Sequence, residues 1–149
     1  MTKTKAIIVD LDGTLALLKR DPYATELCIK DELNIPVAEV VRKFAKEYKI
    51  LIVSGREENH KDITIKWLKL YRIPYAELCM RPIGDHQTTG VELKKQVYNS
   101  YILPKYEVLF ALDDMFKVAE MYREQGIACF QVAKEEFLKK DLTKSIVAH

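Results

Sequence analysis

Residues 6–18 read AIIVDLDGTLALL, and the break in the middle of this stretch decides the architecture. Four apolar residues, three of them β-branched, run straight into Asp10 and Asp12, with Gly13 and Thr14 following before the apolar character resumes. A continuous apolar run of this length suits a strand covered on both faces, as in a parallel sheet. Charge at the end of such a strand is costly unless something is bound there.

The same pattern recurs along the chain. Strand-like runs stand at 5–10 (KAIIVD), 48–54 (YKILIVS), 76–80 (AELCM), 107–113 (EVLFALD) and 127–133 (IACFQVA). Between them lie segments with helical spacing. Val37, Val40, Val41, Phe44 and Tyr48 form one expected stripe, and Ile63, Trp67 and Leu70 another. The segments 91–102 and 116–126 continue the series, with Gly126 where a helix-ending glycine belongs. Strand–helix–strand repetition predicts right-handed crossovers and a doubly wound, mainly parallel five-stranded α/β sheet. The tail at 135–149 is expected to be a terminal helix packed on the core.

A chain of 149 residues with 48% hydrophobic content has enough apolar material for one core, so residues 1–149 are expected to form a single domain. A formal charge of +2 gives no overall basic field and no acidic tail, although a local basic groove remains compatible with it. Cys28, Cys79 and Cys129 are scattered and form no CxxC pair, which reads as reduced core thiols. His60, His86 and His149 have no partners at ligand spacing and read as surface residues. No signal-type h-region opens the sequence and no apolar run approaches a membrane span, so a soluble, cytoplasmic protein is expected.

In doubly wound sheets the ligand sits beyond the carboxyl ends of the strands. Asp10 ends the first run, Ser54 the second, and Asp113 and Asp114 the fourth. Three strands therefore deliver carboxylates or a hydroxyl to one rim. Carboxylates gathered in a low-dielectric crevice repel strongly, and a hard divalent cation relieves them. An all-oxygen set suits Mg²⁺ rather than Zn²⁺, and Mg²⁺ characteristically shares its sphere with phosphate.

DLDGTL at 10–15 resembles the first motif of the haloacid dehalogenase superfamily of phosphohydrolases. SGR at 54–56 resembles the second, Lys94 or Lys95 the third, and LDD at 112–114 the fourth, all in the family's order. More specifically, the chain resembles the 3′-phosphatase domain of phage polynucleotide kinase. The likeness rests on DGTLA followed by Arg20-Asp21-Pro22-Tyr23, on VSGR at 53–56, on Arg81 with Gly84-Asp85, and on the ending from ALDD at 111–114 to CFQVA at 129–133. The family domain carries an acidic residue four before its lysine, where this chain has Gly90 ahead of Lys94. No GxxxxGK[ST] phosphate loop occurs in the sequence, so the chain looks like the phosphatase domain alone.

The resemblance implies a strand order 3-2-1-4-5 with a minimal cap or none, and a Mg²⁺-dependent phosphomonoesterase. Asp10 would be the nucleophile that takes the phosphoryl group, and Asp12 the general acid and then base. Lys94 would neutralise charge on the phosphoryl group and orient Asp10. Asp10, Asp12, Asp113 and Asp114 are the expected metal set. Gly13, Thr14, Arg20, Ser54, Gly55, Arg56 and Arg81 are the expected substrate contacts, with Ser54 at a helix start.

The intervals from Leu15 to Val37 and from Arg81 to Lys94 are too short for a large cap. An unroofed site favours a polymer end, which points to the 3′-phosphate of a nucleic acid, with Lys19, Arg20 and Lys61 along its backbone. Two other readings stay open: a phosphatase of a small metabolite or nucleotide, and a phosphatase subunit or scaffold beside a separate kinase or ligase chain.

Overall fold

The structure, a computed structural model, describes residues 2–18 and 20–134. Lys19 and the expected terminal helix at 135–149 lie outside the described residues.

Five parallel strands form the sheet: β1 (Thr4–Val9), β4 (Lys49–Glu57), β5 (Glu77–Arg81), β6 (Tyr106–Asp113) and β7 (Ala128–Gln131). Their order is β5-β4-β1-β6-β7, so the first strand is central and the chain winds outward on both sides of it. In the count of these five strands that is 3-2-1-4-5, as the sequence reading has it. The carboxyl end of β1 is thus the topological switch point, where such sheets hold their ligands.

Strand alternation splits the core into two layers. Ile7 and Val9 of β1, with Ile50 and Ile52 of β4, face α1 (Ile35–Phe44) and α2 (Lys61–Leu70). Ala6 and Ile8, with Leu51 and Val53, face α3 (Gly90–Val97) and α4 (Phe116–Glu124). Both faces of the central strands are dry, which is why these strands read as unbroken apolar runs rather than alternating ones.

The helical faces differ in detail from the expected stripes. On α1, Val37, Ala38 and Val41 are buried while Val40 is exposed. On α2, Thr64, Trp67 and Leu68 are buried and Leu70 is 60% exposed. In both, the buried set follows i, i+1 or i+3, i+4 spacing about a centre rotated toward the small residue, so the outermost apolar position faces solvent. The expected single helix over 91–102 is α3 followed by a π-helical turn at Tyr98–Ile102, closed by the Leu103 N–H donating to the Tyr98 carbonyl just before Pro104. Gly126 has φ +86° and ends α4 as expected.

Two further short strands, β2 (Ala16–Leu17) and β3 (Glu32–Leu33), pair as an antiparallel ribbon that the sequence reading lacks. Between them lies a 3₁₀ turn at Thr25–Lys30. This is all the secondary structure between β1 and α1 among the described residues, and it folds back over the loop that follows β1. The three cysteines are free thiols, with Cys28 and Cys129 buried and Cys79 half-buried. No helix among the described residues is long and apolar enough to cross a membrane.

Candidate active site

Each side chain at the rim arrives from a strand end or from a helix behind it. Asp10 follows β1, and its N–H donates to the Leu112 carbonyl of β6 at 2.9 Å, which fixes the two strand ends side by side. Asp113 closes β6 and Asp114 follows. All three residues are buried, and their carboxylates offer oxygens within 4.8 Å of one another. Lys94, wholly buried on α3, donates from its ammonium to Asp10 Oδ1 at 2.8 Å and to Asp113 Oδ2 at 2.7 Å. Of the two lysines that the motif left open, Lys94 is the one that reaches the carboxylates. Thr89 caps α3 by accepting from the Glu92 N–H, and that start sets the phase that turns Lys94 inward.

The electrostatics of this inner cluster are one-sided. Two like charges at 4.8 Å, the outer limit for these oxygens, repel by at least about 3 kcal/mol at an effective dielectric near 20. Burial, reinforced by the charge of Asp10, pushes the Asp113 carboxyl up to about 7. Burial and the carboxylates of Asp10 and Asp113 push Asp114 well above the usual range. Burial works against the charge of Lys94, yet Asp10 and Asp113 outweigh it and hold the ammonium well above an ordinary lysine. With all groups ionised, three carboxylates against one ammonium leave two negative charges. A compact, all-oxygen set with that deficit fits a hard divalent cation.

The loop after β1 is built around the same carboxylates. Gly13 has φ +84°, and a Cβ there would fall on the Asp114 carboxylate, so only glycine fits on both counts. The close approach expected toward a phosphate is thus occupied by Asp114. Thr14 is fully buried; its hydroxyl donates to Asp10 Oδ2 at 2.9 Å and lies 3.5 Å from Asp114 Oδ1. That hydroxyl is thus engaged by the carboxylates of the cluster, whereas a substrate contact was expected of Thr14. Asn34 holds the loop from outside, its amide donating to the Thr14 carbonyl at 2.8 Å.

Asp12 stands apart from the carboxylate cluster, in contrast to its expected place in the metal set. Leu11, wholly buried, lies between the two aspartates, and the side chain of Asp12 turns to two arginines. Arg56 grips it with a fork, Nε to Oδ2 at 2.9 Å and Nη2 to Oδ1 at 2.5 Å. Arg20 Nη2 adds a bond to the same Oδ1 at 3.1 Å. Behind both arginines lies Asp31, whose Oδ2 accepts from Arg20 at 3.0 Å and from Arg56 at 3.5 Å. Burial lowers the charge preference of Arg56, but Asp12 overrides it and leaves the guanidinium firmly protonated. Arg56 Nη1 also donates to Thr64 Oγ1 at 3.0 Å on α2, and Trp67 Nε1 donates to the Asp31 carbonyl at 2.9 Å. Asp31 and Thr64 were not singled out in the sequence, and Trp67 stood out only as a member of an apolar stripe. The one signal for Asp31 was charge balance, since two arginines beside a single aspartate call for a second acid.

The remaining expected contacts divide. Ser54 is buried and its Oγ accepts from the Arg56 N–H at 3.1 Å. It does not stand at a helix start, because β4 runs on to Glu57 and α2 begins at Lys61. Arg81 is buried at the end of β5, where Nε donates to the Gly55 carbonyl at 3.0 Å and Nη1 to the Thr88 carbonyl at 2.6 Å. Asp12, Gly55, Arg56 and Arg81 line a pocket of about 160 Å³, together with Tyr23, His60 and His86. The two histidines, expected as plain surface residues, stand on its wall. Arg20 lies behind the wall and Lys61 is exposed at the start of α2.

Residues 4–137 match the family described as the polynucleotide kinase PNKP phosphatase domain. A protein of Autographa californica nuclear polyhedrosis virus named for bifunctional polynucleotide kinase and RNA ligase activity is 32% identical over 137 residues, covering 88% of this chain and 20% of its own length. A chain in the Pnkp1/Rnl/Hen1 RNA repair complex superposes with a TM-score of 0.86 at 40% identity, over 91% of this chain and 44% of that one. The present chain therefore spans less than half of these relatives. A hydrolase from Streptococcus pneumoniae TIGR4 shares the fold, with a TM-score of 0.58 and 14% identity over 95% of this chain and 100% of its own. The motif order, the rim of strand-end carboxylates and the match along nearly the whole described chain agree: the protein belongs to the polynucleotide kinase phosphatase-domain family and is a phosphatase of the haloacid dehalogenase type.

Proposed function

We propose that the chain is a Mg²⁺-dependent phosphomonoesterase that removes 3′-phosphate from nucleic-acid ends, with residues 1–149 acting as one phosphatase domain. The observation that carries this reading is the Asp10–Lys94–Asp113–Asp114 cluster at the end of β1, in a chain whose residues 4–137 match phosphatase domains of polynucleotide kinase.

Asp10 Oδ attacks phosphorus, and the bond from phosphorus to the 3′ oxygen breaks as the new acyl-phosphate bond forms. Asp12, two residues on and facing the pocket, takes up a proton from solvent with substrate bound and gives it to the departing 3′ oxygen. Water then attacks the aspartyl-phosphate, Asp12 takes its proton, and inorganic phosphate leaves with Asp10 restored as carboxylate. Lys94 holds Asp10 with one oxygen aimed and sets its positive charge between Asp10 and Asp113. Thr14 fixes the other oxygen. Arg56 and Arg81 on the pocket wall, with the backbone of Gly55, draw the anionic substrate in. Asp10, Asp113 and Asp114 would hold the Mg²⁺, which when bound supplies charge neutralisation to the phosphoryl oxygens.

The nucleic-acid substrate rests on the family and on the small insert. Only a two-residue ribbon and one 3₁₀ turn lie between β1 and α1 among the described residues, and such a roof leaves room for a strand end. The relatives named for polynucleotide kinase, RNA ligase and RNA repair support a place beside kinase and ligase activities. The decisive experiment compares a 3′-phosphorylated oligonucleotide with nucleoside 3′-monophosphates in the presence of Mg²⁺. The oligonucleotide should give the higher kcat/KM, falling as salt rises. Equal or better turnover of the monophosphates would overturn the nucleic-acid reading in favour of a small-metabolite phosphatase.

A further inference from the structure

Asp31 carries no role in the reaction described above, yet it is among the most confined charged groups in the chain. Its side chain has no exposed surface. It sits at the exit of the 3₁₀ turn, immediately ahead of β3, so the ribbon swings it back over the loop after β1. Its carbonyl is pinned by the Trp67 indole. Its two arginine bonds both run through Oδ2, while Oδ1 has no hydrogen-bond partner among the described residues.

The bonds form a closed square of alternating charge. Arg20 Nη2 and Arg56 Nη2 each touch Asp12 Oδ1 on one side and Asp31 Oδ2 on the other. Two guanidinium groups meeting at a single carboxylate oxygen repel each other, and without a second anion between them one would turn away. Asp31 is that anion. It is sealed from solvent, whereas the Asp12 side chain keeps 14% of its surface and faces the pocket.

We propose that Asp31 is a positioning residue: it anchors the Arg20–Arg56 pair from behind so that the Asp12 carboxylate is aimed at the departing oxygen of the substrate. This rests on the reading of Asp12 as proton donor given above. An acid aimed in this way matters most when the leaving group is an alkoxide, and matters little when it leaves readily as an anion.

The test measures kcat/KM, which reads only the steps through release of the alcohol, on a 3′-phosphorylated oligonucleotide and on p-nitrophenyl phosphate. Asp31→Asn should lower the oligonucleotide value by about 10- to 100-fold and the p-nitrophenyl value by less than about 3-fold, a share of the range typical of general-acid catalysis. Asp12→Asn should show the same split, larger. Asp31→Glu keeps the charge but displaces the carboxylate; it should show the split in smaller degree, and it decides the matter if Asp31→Asn does not fold. Equal losses on both substrates in the Asp31 variants, or no loss on either, with the split kept in Asp12→Asn, would overturn the role of Asp31 alone. A missing split in Asp12→Asn would overturn the donor reading and this proposal together.

Discussion

Two clusters of paired charges lie side by side at the end of β1, and they are balanced differently. The inner one sets a single ammonium, Lys94, among Asp10, Asp113 and Asp114. The outer one sets Arg20 and Arg56 against Asp12 and Asp31, two cations for two anions. The inner cluster thus lacks positive charge and is suited to receive it; the outer is neutral and is suited to hold geometry. Buried ion pairs cost desolvation and stabilise little in net terms, but removing one partner leaves a charge stranded. Both clusters should therefore respond strongly to single substitutions, in different ways.

The sharpest break is Asp10→Asn. It should cut turnover of any phosphomonoester by more than about 10³-fold while the chain stays folded, because it removes the attacking oxygen and relieves repulsion at the same time. Activity near that of the unaltered protein would remove Asp10 from the mechanism. Lys94→Met comes next. It strands the buried carboxylates and should lower unfolding free energy by about 3–5 kcal/mol, read by urea denaturation without divalent cation. An unchanged midpoint would show that Lys94 is not the counter-charge its geometry indicates. Adding Mg²⁺ at about 100 times its dissociation constant should stabilise the unaltered protein by about 2.7 kcal/mol, and a chelator should reverse this. The gain should vanish in Asp113→Asn and persist in Asp31→Glu, which separates the two clusters directly. The smallest effect is expected from Thr64→Val. It takes one hydrogen bond from Arg56 in the outer cluster and should cost about 1–2 kcal/mol with Mg²⁺ stabilisation intact.

The inner cluster was legible in the sequence because each acid ends an apolar run, and a parallel sheet brings such ends to one rim. Lys94 was legible only as one of a pair; the choice depends on helix phase, which Thr89 sets at the start of α3. The outer cluster was half hidden. Arg20 and Arg56 stood out as phosphate-type arginines, but Asp31 lies in a stretch with no periodicity, and only the β2–β3 ribbon brings it back over Asp12. For the same reason the motif resemblance put Asp12 in the metal set, whereas the arginines to which its side chain turns belong to other elements and are invisible in the motif. The exposure of Val40 and Leu70 shows a further limit. Apolar spacing finds a helix, but which residue centres its buried face depends on the sheet beneath.

Thr14 and Asp114, whose side chains approach each other beside Gly13, lie 100 residues apart along the chain. The first and last parts of the reaction centre thus meet only once β6 has docked against β1. During synthesis a ribosome-bound chain would carry its nucleophile early but no working centre until the fourth core strand emerges. Activity should arrive in one step, late, and a cut anywhere between the two halves should silence it wholly rather than in part.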